Sequence, residues 1–571
     1  MKIRILPAFV IATVLSMMAP PAVAGEATGA YLAARQARYD KDFAAAAQYF
    51  TRALTQDPSN PAILENAVVA HVALGRVDRA VPIARKIEAD GLRSQVASMA
   101  LIADAAIREA HDDILARLKD GRGMGALGDG LIRAWTYLGK GDMTKALAEF
   151  DKVATEPGLH AFAIYHKALA LASVGDFEGS DKIFSGKSDG PLQRTRRGII
   201  AWAQILSQLE RDTEAVALID DTFGTDLDPE IAQLRAALSS GERVPFALVH
   251  NSQDGIAEVF FSLGQALMSE TGEDYVLLYA RIAEFLKPDH IDAIIMSAEL
   301  LEGLERYELA TEAYKRVPRD HPSFHAAELG RSDALRRSGK TDAAIEVLER
   351  LAETHPDLPM VHVAAGDLYR QLERFGDAVK AYDRALALYA ERDTDQWFVH
   401  YTRGISHERL DDWKKAEIDF RKALELKPDQ PQVLNYLGYT MVEKQVNLDE
   451  ALNMIERAVK ARPDSGYIVD SLGWVLYRLG RYEEAIGHME HAAELEPVDP
   501  VVNDHLGDVL WAVGRYNEAR FQWKRALSFV EKGSTTSDAD PDRIRRKLEV
   551  GLDVVLSEEG SEPLKVANET D

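Results

Sequence analysis

The stretch VDSLGWVLYRLGRYEEAIGHM, residues 469–489, decides the fold. Val469, Leu472, Trp474, Leu476 and Leu479 are spaced as on an amphipathic helix, and Gly480 follows where a helix closes through a left-handed residue. Ala485 and Met489 then open a second helical pattern. The stretch therefore predicts two short helices joined by a tight turn.

The same pattern recurs on either side. Pro288, Pro322 and Pro356 lie 34 residues apart, as do Pro463 and Pro497. Ala310, Ala344 and Ala378 keep that period, which continues with small insertions through Ala416, Ala451, Ala485 and Ala519. Gly264, Gly366, Gly404, Gly438, Gly473 and Gly507 share one position of the first helix, where the missing side chain lets the second helix come close. Tyr314, Tyr382, Phe420 and Trp523 supply the large residue that fills the gap. A period of this kind marks a repeat architecture and not one enlarged core.

Leu506-Gly507, Ala519, Trp523 and Ala526 resemble the tetratricopeptide repeat. That resemblance implies an all-α solenoid, a right-handed superhelix of antiparallel helix pairs. Eight regular units begin near Ala257, Ile291, His325, Pro359, Trp397, Pro431, Gly466 and Pro500, filling residues 246–531. Two units carry insertions, at 389–396 and 445–447. Residues 25–245 read as divergent helical repeats around Ala46, Phe50, Ala146, Phe150, Phe184 and Ala215. Gly121–Gly130 is glycine-rich, and Ser239–Gln253 reads as a break between two arrays. Ile544, Leu548, Leu552 and Val555 space a helix within 532–556 that covers the open end of the stack. Residues 557–571 are expected to be disordered.

The first residues carry an export signal. Lys2 and Arg4 precede the uncharged run Ile5–Met18, and Ala22-Val23-Ala24 forms a small-x-small cleavage site before Gly25. The run ends at Pro20-Pro21 and is shorter than the ~20 apolar residues of a membrane span. Cleavage near Ala24 and a soluble periplasmic product are expected, with no transmembrane segment. The absence of cysteine excludes disulfides, thiolate metal sites and the lipid anchor of bacterial lipoproteins. Loss of Lys2 and Arg4 leaves 65 basic against 92 acidic residues, a net charge of −27. Such a surface repels nucleic acid and favours basic partners, or neutral ones with apolar anchors.

No motif points to catalysis or to a cofactor. Gly123-Met124-Gly125-Ala126-Leu127-Gly128 matches the dinucleotide fingerprint but lacks the strand that mechanism requires. Gly186-Lys187-Ser188 and Gly339-Lys340-Thr341 look like the end of a phosphate loop, with Asp181 and Ala334 where glycine is needed. His488 and His491 have a chelating spacing but no third ligand. A scaffold and not an enzyme is expected.

The residues left unexplained by repeat packing point to a binding surface. At about 100° per residue, positions 4, 7, 8 and 11 of each first helix face its packing partners, while positions 2, 5, 9 and 12 lie opposite. In tetratricopeptide arrays that second face lines a concave groove. Position 5 reads Tyr401, Asn435, Asp470 and Asp504, and position 9 reads Tyr439, Trp474 and Asp508 in the last three repeats. Position 12 adds Tyr477 and Trp511, beside Arg478. Aromatic area flanked by amide and carboxylate groups suits capture of a protein or peptide. The competing reading packs these rings against adjacent repeats.

The runs Asn435–Tyr439, Asp470–Gly480 and Asn503–Trp523 are similar to a bacterial envelope family that includes lipoprotein adaptors of carboxyl-terminal processing proteases. That resemblance implies a groove holding protease and substrate together, so that murein hydrolases are degraded. Other envelope assembly scaffolds would use identical physics. A hydrolase or carbohydrate-binding protein built on Asp470, Asp504 and Asp508 is the reading of a different class.

Overall fold

The computed structural model describes residues 24–188, 190, 192, 194–224, 227–389, 396–530 and 539–560. The expected export signal before Ala24, and the expected tail after Gly560, lie outside the described residues. Among the described residues there are 31 helices and no strand. Successive helices pack as antiparallel hairpins, as in Gln396–Arg409 with Trp413–Leu426, Gly466–Arg478 with Tyr482–Leu495 and Pro500–Ala512 with Tyr516–Val530.

Close approach at glycine sets the hairpin geometry. A Cβ on Gly507 would lie 2.4 Å from the Trp523 ring, and one on Gly404 would lie 2.7 Å from Phe420. Both rings are fully buried. The large side chain of the second helix occupies the volume that glycine vacates on the first, which is ridge-into-groove packing with a locally deepened groove.

The tight turn after each first helix imposes a second requirement. Its left-handed residue is Glu305, Gly339, Glu373, Asp411, Gln445, Gly480 and Gly514 in seven successive repeats, with φ between 54° and 82°. Four of these are not glycine. The turn is therefore fixed by the packing of the two helices, and a side chain is held at positive φ at a cost of about 1–2 kcal/mol.

Packing divides the chain into two compact units, Met1–Leu348 and Glu349–Asp571. The division thus falls inside the helix Thr341–Thr354 and not near residue 245. In the first unit, Ser252–Leu267 packs against Ala126–Gly139, Gln95–Ile107 and His160–Ser173. Glu273–Leu286 packs against Pro61–Ala73, Val77–Ala89 and Gln95–Ile107. This helix pair, read from the sequence as the first member of a second array, is seated on the earlier helices. Gly255 abuts the buried Trp135 ring, and Arg281 Nε donates to the Ala73 carbonyl at 3.3 Å. The Ser239–Gln253 stretch is a tied connection: Gln208 donates to the Val244 carbonyl at 2.7 Å, and the Val244 and Ala247 amides donate to Ser207 and Gln204.

In the second unit the apolar seam runs from Phe420 through Leu437, Ile455, Val475, Met489 and Trp523 to Ile544 and Leu552. The last two belong to Pro541–Val550 and Leu552–Glu558, which continue the stack beyond Tyr516–Val530. Helix therefore extends to Glu558, past the point at which the sequence suggested that order ends.

Glu373→Gly should stabilise the second unit by roughly 0.5–1 kcal/mol, the left-handed strain relieved less the entropy of glycine. Gly514→Ala should destabilise it by about 1–2 kcal/mol, since a Cβ there meets no neighbouring atom and only the backbone angle is affected. Urea unfolding of the two variants beside the parent checks both signs.

Candidate partner-binding groove

The ten residues assigned to the groove do not share one environment. Asp470, Trp474, Tyr477, Asp504 and Asp508 are all buried, which corrects their assignment to an open surface. The angular argument treated each helix pair as isolated. In the folded chain the first helix of the next repeat packs on the face carrying positions 5, 9 and 12, as Gly466–Arg478 does against Pro500–Ala512.

These side chains form a joint between repeats. Trp474 stacks on His505, with ring centroids 3.9 Å apart and planes inclined by 13°, and on Tyr477 at 4.9 Å. Its Nε1 donates to Glu443 at 2.8 Å. Asp470 faces His505 Nδ1 at 3.0 Å. Lys547, from Pro541–Val550, is fully buried and donates to Asp504 and Asp508 at 2.6 Å each. Asp508 also accepts from Trp523 Nε1 at 2.8 Å. Trp511 is less covered, and its Nε1 donates to Asp553 at 2.8 Å.

Charge in this joint is coupled to burial. Desolvation drives the His505 imidazole down, but the facing Asp470 carboxylate, helped by Asp504 and Asp508, outweighs it and holds the group above its ordinary range. Desolvation also raises the Asp504 carboxyl, against the pull of Lys547. Asp470, Asp504 and Asp508 are thus each engaged within the joint, by His505, Lys547 and Arg543. The alternative that reads Asp470, Asp504 and Asp508 as working carboxylates therefore starts from buried, paired groups and not from an open surface.

A half-open surface remains at the preceding repeats. Tyr401 is half-buried, stacked on Trp397 at 6.5 Å and meeting Tyr436 edge-on at 6.1 Å. Tyr439 is half-buried and Arg478 exposed, the latter paired with Glu443 at 3.3 Å. Asn435 has a buried side-chain oxygen with no hydrogen-bond partner. A desolvated amide oxygen without a donor costs about 1–3 kcal/mol, and being buried it is closed to an incoming group in this arrangement.

Position 2 of the first helices was missed. Met360, Phe398 and Tyr467 occupy it in Pro359–Gln371, Gln396–Arg409 and Gly466–Arg478, and they are 44%, 39% and 58% exposed. The signal was present, because the same angular argument placed position 2 on this face. Being in the first turn, it projects clear of the neighbouring first helix that covers positions 5 and 9.

The weak motifs resolve into structure. In the glycine-rich loop, the Asp129 carboxylate accepts from the Met124 amide at 2.7 Å and fills the space beside Gly123 that a phosphate would need. Among the described residues no cluster of three metal-ligating side chains occurs, and no helix is long and apolar enough to cross a membrane.

The tetratricopeptide-repeat family matches residues 37–103, 295–359, 361–392, 397–430 and 444–500. A TPR repeat-containing protein of Pseudomonas aeruginosa is 30% identical over 159 residues, 28% of this chain and 26% of that one. Human tetratricopeptide repeat protein 13 is 27% identical over 181 residues, 31% of this chain and 20% of that one. The chain thus spans about a quarter or less of these relatives. Among solved structures, a tetratricopeptide repeat protein from Parabacteroides merdae aligns with a TM-score of 0.37 and 18% identity over 45% of this chain and 97% of that one. Yeast Tom70 aligns with a TM-score of 0.36 and 14% identity over 94% and 99%.

Lys547→Ala leaves two carboxylates in a dry site and should cost about 3–5 kcal/mol, the usual penalty for breaking a buried ion pair. Loss of the cooperative tryptophan fluorescence transition to lower urea is the readout. His505 carries a pH signature. Its folded-state value is raised above the unfolded one, so its stabilisation is complete below about pH 6.5 and fades as pH rises through the folded-state value. The stability gap between the parent and His505→Gln should therefore narrow from about pH 6 to about pH 9. A gap that widens on alkalinisation contradicts the assignment.

Proposed function

We infer, from the premise that this chain is a tetratricopeptide-repeat protein, that it works as a protein-binding scaffold which captures a polypeptide along the half-open face of its second unit. The observation that carries this reading is the set Met360, Phe398 and Tyr467, exposed at one position of the first helices, with Tyr401 and Tyr439 half-buried beside them. Apolar and aromatic groups supply the contact area. An overall excess of acidic residues favours partners that are basic, or neutral with apolar anchors.

The sharper reading places the scaffold in a bacterial periplasm, released after cleavage near Ala24. There it serves as an adaptor that presents cell-wall hydrolases to a carboxyl-terminal processing protease. The export signal and the resemblance of residues 435–523 to envelope adaptors support it. A scaffold for another envelope assembly would use the same face, and the identity of the captured protein separates the two.

The triple variant Met360→Ser, Phe398→Ser, Tyr467→Ser should lose partner capture in a periplasmic crosslinking experiment while its urea midpoint stays within about 1 kcal/mol of the parent, as expected for exposed positions. Trp474→Ala should instead destabilise the second unit by about 3–5 kcal/mol. Undiminished capture by the folded triple variant would remove the groove from the mechanism. Crosslinked material lacking both a processing protease and a cell-wall hydrolase would remove the adaptor reading.

A further inference from the structure

The first unit contains a built pocket that the scaffold reading does not use. It opens where Ser252–Leu267 crosses His160–Ser173, beside the start of Arg196–Gln208, and has a volume of about 280 Å³. Ala161, Phe162, Tyr165 and Ala266 form largely apolar walls, and Glu258, Ser262 and Arg197 form the floor. Thr195 and Gln265 stand at the rim.

Following the hydrogens shows what this floor offers. Trp135 Nε1 can only donate, and it donates to His166 Nδ1 at 3.2 Å. Burial pushes the His166 imidazole down to about 4, so it is neutral near pH 7 and its one proton sits on Nε2. That N–H donates to Ser262 Oγ at 3.1 Å, and the Ser262 hydroxyl in turn donates to the Val259 carbonyl at 3.2 Å. The Tyr165 hydroxyl donates to Glu258 at 2.8 Å. Both hydroxyl hydrogens on the floor are thus committed inward, and each oxygen keeps a lone pair for the cavity.

Charge points the same way. Arg197 directs Nε and Nη2 at Glu258, at 2.8–3.0 Å, and Nη1 at Asp292. His290 Nδ1 accepts from the Ala293 amide at 3.2 Å, which leaves an Nε2–H facing Glu258 at 3.4 Å. Burial, then the Arg197 charge, lowers the His290 imidazole below its ordinary range. Glu258 and Arg197, the charged groups that line the pocket, balance each other, and the negative excess lies behind them, at Asp292. The adjacent Arg196, shared between Asp228 and Glu230, repeats that imbalance.

We propose that this pocket binds an ammonium group carried on an apolar or aromatic body, with the Tyr165 and Ser262 oxygens accepting its N–H bonds and the Phe162 and Tyr165 rings holding the body. An amine fits because the floor presents hydroxyl acceptors whose own hydrogens are committed inward, with excess carboxylate behind it, and aromatic walls favour a cation further. A free amine and a lysine side chain of a partner protein share this chemistry.

The test titrates the full chain, by ligand-observed NMR, with 2-phenylethylamine, 2-phenylethanol and phenylacetate. The amine should bind at least about tenfold more tightly than the alcohol, and phenylacetate should bind more weakly still. Ala266→Trp fills the mouth from an exposed position, and should abolish amine binding without moving the thermal transition. Blocked acetyl-lysine-amide distinguishes the sources: binding of it assigns a partner's lysine, and binding of phenylethylamine alone assigns a small amine. Phenylacetate binding as tightly as the amine, no amine binding at millimolar concentration, or full binding by folded Ala266→Trp would each overturn the proposal.

Discussion

Every feature of the second unit depends on one constraint, that a helix hairpin of this size cannot bury its own apolar surface and must be covered by the next. Glycine on the first helix and a large residue on the second close each hairpin. The first helix of the following repeat then seals what remains. A stack built this way has no natural end, and its last exposed face is the most expensive part of the structure. Here Pro541–Val550 and Leu552–Glu558 meet that cost, with Ile544 and Leu552 on the apolar side and Lys547 on the polar side.

Lys547 shows how the ending differs from the repeats before it. Between Gly466–Arg478 and Pro500–Ala512 the joint is made by a stacked His505 and an Asp470 carboxylate. One step further on, Asp504, the equivalent of Asp470, shares a buried lysine with Asp508, which stands where the repeat before has Trp474. The same geometric slot is neutralised by two different cations. Burial without a partner would be prohibitive for either carboxylate.

The helical repeat was legible because it is written as a period, and a period survives any uncertainty about individual contacts. Gly404, Gly507, Phe420 and Trp523 could be assigned to a close-packed seam from spacing alone. The groove was less legible, because facing directions on a single helix say nothing about which helix lies opposite. Trp474 and Asp470 point away from their own hairpin as expected, and directly into the next one. The signal that could have revealed this is one repeat downstream, where His505 and Lys547 stand opposite acidic residues. The seating of Ser252–Leu267 and Glu273–Leu286 on earlier helices was not legible either, since Gly255 fits Trp135 across 120 residues of sequence with no periodic mark.

What repeat packing leaves uncovered is therefore narrower than the whole concave face. Positions 5 and 9 belong to the joint wherever the next first helix carries a complementary group. Tyr401 and Tyr439, at the same positions of earlier repeats, are only half covered. Position 2 is exposed and apolar at Met360, Phe398 and Tyr467, while Val501 at the same position of the last repeat is packed on the core. An isolated exposed ring is ordinary on a protein surface, but recurrence at one repeat position aligns the exposed groups along the stack. A ligand that reads such a row must itself be extended along the stack axis, and a polypeptide chain meets that requirement where a compact small molecule does not.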